Sequence, residues 1–216
     1  WQGTESLVAA AKQGYTGLLS TGYYIDLIQP TDFHYLVDPI PANTTLTKEE
    51  QQFIVGGEAT MWTEHVTPET VDSRIWPRTA AIAERLWSAR NVNNVEDMYR
   101  RLDQVDLYLE GLGTTQLKNK SMLLRRLANG YNTEPLEVLV NVIEPLKIYE
   151  RNAGDTMYTV FSPYTKIADA ATPDQRTARE FRKLVARYCN SKDVTLASEI
   201  QRQLTLWKNN DAHFKL

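Results

Sequence analysis

The chain has 216 residues, 42% of them hydrophobic and 24% charged, with ten glycines and nine prolines. These values are ordinary for globular protein and exclude collagen-like and wholly disordered chains; apolar runs such as Leu139-Val140 and Val142-Ile143 are interrupted too soon to span a bilayer. The net charge of −3 is unevenly divided, with 16 acidic and 8 basic side chains in residues 1–112 against 11 and 16 in residues 113–216.

That change of sign argues for two regions with different roles. The excess of basic groups in the second region is too mild to indicate nucleic acid. Cys189 stands alone, and His34, His65 and His213 lack the short paired spacing of a metal site, so neither a metal nor another cofactor is expected. The chain opens at Trp1 with no initiator Met and no signal-peptide pattern, and it reads as a segment of a longer protein.

Residues 4–13 (TESLVAAAKQ) are predicted to form a helix that Gly14 stops. Residues 15–20 read as a short buried strand of the parallel kind. The stretch 29–47 holds three prolines and several polar residues and reads as a long loop. Residues 53–57 (FIVGG) read as a second strand. Pro77 suits the first turn of a helix, in which Ala80, Ala83, Leu86 and Trp87 trace an apolar face. Residues 95–112 repeat that periodicity through Met98, Leu102, Val105 and Leu109. Strands alternating with helices predict α/β architecture with parallel strands.

The second half changes character. Leu136, Leu139, Val140 and Ile143 form one helical stripe, which Pro145 bends or ends. Ala178, Phe181, Leu184, Val185 and Tyr188 form another, and Leu196, Ile200, Leu204 and Trp207 a third. This half reads as a small helical bundle. Arg176, Arg179, Arg182, Lys183 and Arg187 are expected on a solvated face opposite the second stripe. Asn43-Thr44-Thr45 and Asn119-Lys120-Ser121 fit the glycosylation pattern, a weak signal.

Chemistry concentrates directly after the two strands. Gly56-Gly57-Glu58-Ala59-Thr60-Met61-Trp62-Thr63-Glu64 follows one, and Tyr23-Tyr24-Ile25-Asp26 follows the other. An indole face packs on the apolar face of a pyranose, and carboxylates accept hydrogen bonds from its hydroxyls. Residues just past the strands of a parallel barrel line its active-site face. Each side chain alone has a plainer reading, as core or as solvated surface; the shared placement favours a sugar site.

The stretch Gly56–Ala89 closely resembles the last strand and following helices of family 20 glycoside hydrolases, the β-N-acetylhexosaminidases. The markers are GGE, the MW-x-E step, W-P-R and A-E-R-L-W-S. Upstream, LLSTGYYIDLI and YLVDP resemble the preceding strand and its loop, and Trp1 the tryptophan ending the strand before that. The resemblance covers roughly residues 1–112. It implies the last βα units of a (β/α)8 TIM barrel in residues 1–114, followed by a mostly α-helical C-terminal domain in residues 115–216.

The family hydrolyses terminal β-linked N-acetylglucosamine or N-acetylgalactosamine by a substrate-assisted, retaining route, outside the two-carboxylate scheme. By resemblance, Tyr24 hydrogen-bonds the attacking acetamido oxygen, Asp26 and Glu64 bind outer hydroxyls, and Trp62 and Trp1 wall the pocket. The implied partner is an amino-sugar glycan, with a periplasmic, secreted or lysosome-like setting. Glu58, Arg78, Glu84 and Arg85 match family motifs and read as structural, tying the last helix to the barrel by buried ion pairs. The Asp-Glu dipeptide on which family catalysis depends does not occur in these 216 residues. The parent therefore reads as an enzyme and this chain alone as inactive; a non-catalytic carbohydrate-binding or interaction module is the alternative.

Overall fold

The computed structural model describes residues 1–64, 66–150 and 166–214; His65 lies outside this set. The chain forms two compact units. One holds Trp1–Gln116 together with the described residues 147–150, and the other holds Leu117–Leu146 and the described residues from 166 onward.

In the first unit, helix α1 (Thr4–Lys12) turns Leu7 and Ala11 inward and leads into strand β1 (Gly17–Leu19). A buried Thr31, His34 and Tyr35 stabilise a short helix, α2 (Thr31–Leu36), inside the segment expected to be loop. Its six residues are too few to form a helix by propensity, so tertiary burial supplies the stability. Helix α3 (Lys48–Gln51) begins with a reciprocal cap: Thr47 N–H donates to Glu50 Oε2 at 2.8 Å, and Glu50 N–H to Thr47 Oγ1 at 3.2 Å. Strand β2 (Ile54–Gly57) runs parallel to β1, with Gly17 opposite Ile54, Leu18 opposite Gly56 and Leu19 opposite Gly57. Leu7, Ala11, Leu19, Tyr23, Ile25, Leu46, Ile54 and Ile82 make the core beneath them.

Helices α4 (Val71–Ile75), α5 (Arg78–Trp87) and α6 (Val95–Gly111) follow. Helix α5 departs from the expected apolar face. Trp87 is 93% exposed, and the residues turned inward are Arg78, Ala81, Ile82 and Arg85. Hydrophobic periodicity misplaced the face because two arginines point into the protein, where carbonyls and a carboxylate receive them. Tyr35, Ala81, Met98, Tyr99 and Leu102 form a second core between α2, α5 and α6.

The second unit contains α7 (Gln116–Ala128) from Leu117 onward, α8 (Glu134–Val140), α9 (Lys166–Ala170), α10 (Arg176–Ser191) and α11 (Val194–Asn210). Its core joins Leu124, Val140 and Ala170, flanked by Leu123, Leu127, Leu136, Ile143 and Ile167. Helix α8 ends at Val140, well before Pro145. Helices α10 and α11 pack as a pair in which Phe181 and Trp207 meet edge to face, their ring centroids 4.6 Å apart. Arg179, expected on the solvated face, is buried and ion-paired with Asp174 at 2.9 Å. No helix among the described residues is long and apolar enough to cross a membrane.

Candidate functional site

Past the strand ends, the two chains remain in step. Glu58 N–H donates to Leu19 O at 3.0 Å, Thr60 N–H to Tyr23 O at 3.1 Å and Ile25 N–H to Thr60 O at 3.0 Å. Tyr24 and Thr60 thereby form an isolated parallel bridge. Ser20 Oγ adds a side-chain link, donating to Glu58 Oε1 at 2.6 Å. The pairing brings the Tyr23–Asp26 segment beside the Glu58–Glu64 segment.

The adjacent tyrosines turn to opposite sides, as extended backbone requires. Tyr23 is fully buried and donates its hydroxyl to Val37 O at 3.0 Å. Burial pushes its phenol up to about 12, with Arg85 opposing and Asp38 adding. Tyr23 fits only because Gly57 lies under its ring: a Cβ at Gly57 would sit 2.5 Å from Tyr23 Cε2 and 3.0 Å from Leu19 O. Tyr24 is half-buried. Its phenol is also raised, by burial first and then by Asp26, Glu58 and Tyr149. It therefore remains a protonated hydrogen-bond donor at every ordinary pH.

Asp26 is 4% exposed. Burial raises its carboxyl above the usual range; its own amide and that of Trp62 hydrogen-bond to it and pull the other way, Glu64 raises it, and Arg78 lowers it. Asp26 Oδ1 accepts no hydrogen bond among the described residues. A buried acceptor in that state is costly unless a donor arrives. The Trp62 amide and the charge of Glu64 thus converge on Asp26 from the neighbouring segment.

Trp62 is 58% exposed and Glu64 lies at the surface beside it. The Trp1 indole is 81% exposed, and the Trp1 carbonyl accepts a hydrogen bond from Thr21 Oγ1, three residues before Tyr24. Tyr24, Asp26, Trp62 and Glu64 are thus brought together, and Trp1 is anchored at the edge of the same loop.

Arg78, reaching in from α5, fixes the backbone around Asp26. Its guanidinium donates to Ile25 O and Gln29 O, each at 2.6 Å, and to Arg74 O. These carbonyl contacts tie α5 to the Ile25–Gln29 backbone. Arg85 meets the expectation better, pairing with Asp38 at 3.0 Å and donating to Val37 O and Arg90 O. Glu84 accepts from Tyr35 at 2.7 Å and pairs with Arg101.

Two contributors escaped the sequence reading. His34 is fully buried against Gly22 and Arg78; a lone histidine in a supposed loop gives no periodic signal. Tyr149 acts on Tyr24 from a segment whose Ile148 N–H donates to Leu27 O at 2.9 Å. A contact between residues that far apart in the chain leaves no local pattern. Among the described residues, no cluster of three or more His, Cys, Asp or Glu could hold a metal.

Residues 1–90 match the catalytic domain of glycosyl hydrolase family 20. The chain is similar to the β-hexosaminidase subunit beta of Rattus norvegicus, 37% identical over 97 residues, covering 44% of this chain and 18% of the relative. The Dictyostelium discoideum subunit A1 is 38% identical over 104 residues, covering 44% and 19%. A solved structure, the chitobiase of Flavobacterium johnsoniae, matches with a TM-score of 0.93 and 46% identity over 99% of this chain. That match spans 34% of the chitobiase, so the chain corresponds to about a third of that relative and under a fifth of the other two. The fold of the matched segment is the final part of a TIM barrel, and a helical region follows it.

Proposed function

We propose that this chain is the C-terminal part of the catalytic barrel of a β-N-acetylhexosaminidase with its appended helical region. The enzyme removes terminal, non-reducing β-linked N-acetylglucosamine or N-acetylgalactosamine. Residues 1–114 are the barrel part; residues 115–216 are a helical domain outside the chemistry, apart from the return of 147–150 beside the barrel.

The observation that carries this reading is the Tyr24–Thr60 bridge, which gathers a protonated phenol, two carboxylates and an exposed indole at one strand end. The Tyr24 hydroxyl donates to the acetamido oxygen of the sugar and aligns it with the anomeric carbon. That oxygen forms the new bond to carbon as the glycosidic bond breaks, and the leaving oxygen takes a proton from a general acid. Water then opens the oxazolinium intermediate with retention. Asp26 and Glu64 accept hydrogen bonds from outer hydroxyls, and Asp26 Oδ1 gains the donor it otherwise lacks. Trp62 and Trp1 flank the ring.

The general acid and its partner aspartate come from outside these 216 residues, which contain no Asp-Glu step. General-acid assistance is worth roughly 10²–10⁴-fold in rate. The test compares this chain alone with the longer protein that contains it, on an aryl β-N-acetylglucosaminide. Turnover by the longer protein alone is expected. Turnover by the isolated chain, or by neither, contradicts the reading.

A further inference from the structure

The segment between Gly22 and Gln29 carries both Tyr24 and Asp26, yet it contains only a single short 3₁₀ turn, Ile25–Leu27. The Tyr24–Thr60 bridge pins its middle, and two side chains from outside the segment hold its ends. Arg78 takes the carbonyls of Ile25 and Gln29 at the C-terminal side. His34 takes the carbonyl of Gly22 at the N-terminal side, with Nδ1 2.7 Å from that oxygen. The remaining ring nitrogen, Nε2, lies 3.3 Å from Arg78 Nη1. A carbonyl only accepts and a guanidinium only donates, so Nδ1 carries the proton and Nε2 is bare. One neutral imidazole therefore joins the two ends of the clamp.

We propose that His34 is a positioning residue whose two nitrogens tie Gly22 to Arg78 and so fix Tyr24 and Asp26 in their working orientation. The inference rests on the reading of those two residues as sugar contacts. His34 itself is fully buried and touches no substrate. Its effect passes through Gly22, two residues before Tyr24. Gly22 holds a positive φ of 91°, and a Cβ there would meet Val37 Cγ2 at 2.8 Å. The turn is crowded and has little freedom to reach the same Tyr24 position by another path. Because Tyr24 aligns an attacking atom, small displacements act on the transition state more than on binding.

The test uses the full-length enzyme and three variants. His34→Phe keeps a ring beside Phe33, whose centroid lies 5.5 Å away, and removes both nitrogens. It should lower kcat about tenfold, the scale of one lost hydrogen bond in the transition state, with KM changing less. His34→Asn places an amide donor near the Nδ1 position and should restore kcat to within about threefold of the parent. Tyr24→Phe is the control. If Tyr24→Phe loses rate while His34→Phe keeps the parent's kcat and only melts earlier, the positioning role is overturned and the site stands. If Tyr24→Phe also keeps its rate, the site reading itself falls. Nitrogen chemical shifts of His34 in the unmutated enzyme decide the matter independently of variant folding: a protonated Nδ1 with a bare Nε2 supports the clamp, and the opposite tautomer refutes it.

Discussion

Ser20 and Glu58 meet across the ends of the two parallel strands, the serine hydroxyl donating to the carboxylate at 2.6 Å. The bond continues the strand register at the point where backbone pairing thins to single bridges. Glu58 is exposed and Ser20 is buried, so the link is wet on one side and modest. Ser20→Ala should cost about 1 kcal/mol of stability, measured by urea unfolding, while leaving KM for substrate within twofold of the parent. A large rise in KM would make Glu58 part of the proposed sugar site.

Arg78 is a stronger anchor. Three backbone carbonyls accept from it in a fully buried setting. Arg78→Met retains apolar bulk and strands those carbonyls, at about 1–3 kcal/mol for each one left unpaired. Unfolding by urea should show a loss of at least about 3 kcal/mol. A loss under 1 kcal/mol would show that water replaces the guanidinium without penalty.

Gly57→Ala tests the packing of Tyr23 under the strand. The added Cβ would meet the buried ring at 2.5 Å and the Leu19 carbonyl at 3.0 Å. Overpacking of this kind costs about 1–3 kcal/mol. Thermal melts of the two proteins should differ accordingly, and equal melting would mean that β1 and β2 separate freely.

Much of this was legible in the sequence. The strands at 17–19 and 54–57, and the clustering of Tyr24, Asp26, Trp62 and Glu64 behind them, follow from short apolar runs next to glycine and from motif order. What remained hidden has a physical cause in each case. Hydrophobic periodicity does not find the inward face of α5, because backbone carbonyls receive Arg78 and Arg85 there, with Asp38 adding a carboxylate for Arg85. It does not find helix α2 either, whose stability comes from burial of His34 and Tyr35. Helix α7 is rich in Lys, Asn and Arg, and its buried side is Leu124 and its neighbours, with Lys120 reaching Asn141 at 2.7 Å.

The same histidine gives the fold a pH dependence. Burial first, then the charge of Arg78, lower the His34 pKa from 6.5 to about 4, against the pull of the Gly22 carbonyl. The unfolded chain thus binds a proton at a pH where the folded chain does not, and stability rises with pH through that window. The contribution is complete above about pH 6.5 and is lost as pH falls towards about 4, by roughly 3 kcal/mol. Urea midpoints at pH 7 and pH 4.5 should fall further apart in the parent than in His34→Gln. Equal separations would show that His34 is already charged in the fold.

The helical region offers its own check. Residues 115–216 expressed alone should give a helical circular dichroism spectrum, since Leu124, Val140 and Ala170 bury one another and α10 packs on α11. A strand-rich or unfolded spectrum would contradict an independent domain.

The central claim is that the two strand ends form one sugar site in which Tyr24 aligns the attacking acetamido oxygen. Steady-state kinetics of Tyr24→Phe in the full-length enzyme test it most directly, with an aryl β-N-acetylglucosaminide as substrate. An interaction realised mainly in the transition state lowers kcat more than it raises KM. The account predicts that kcat falls at least tenfold, the scale of one lost hydrogen bond of about 1.4 kcal/mol, while KM stays within about threefold. An unchanged kcat, or a loss confined to KM, would contradict it.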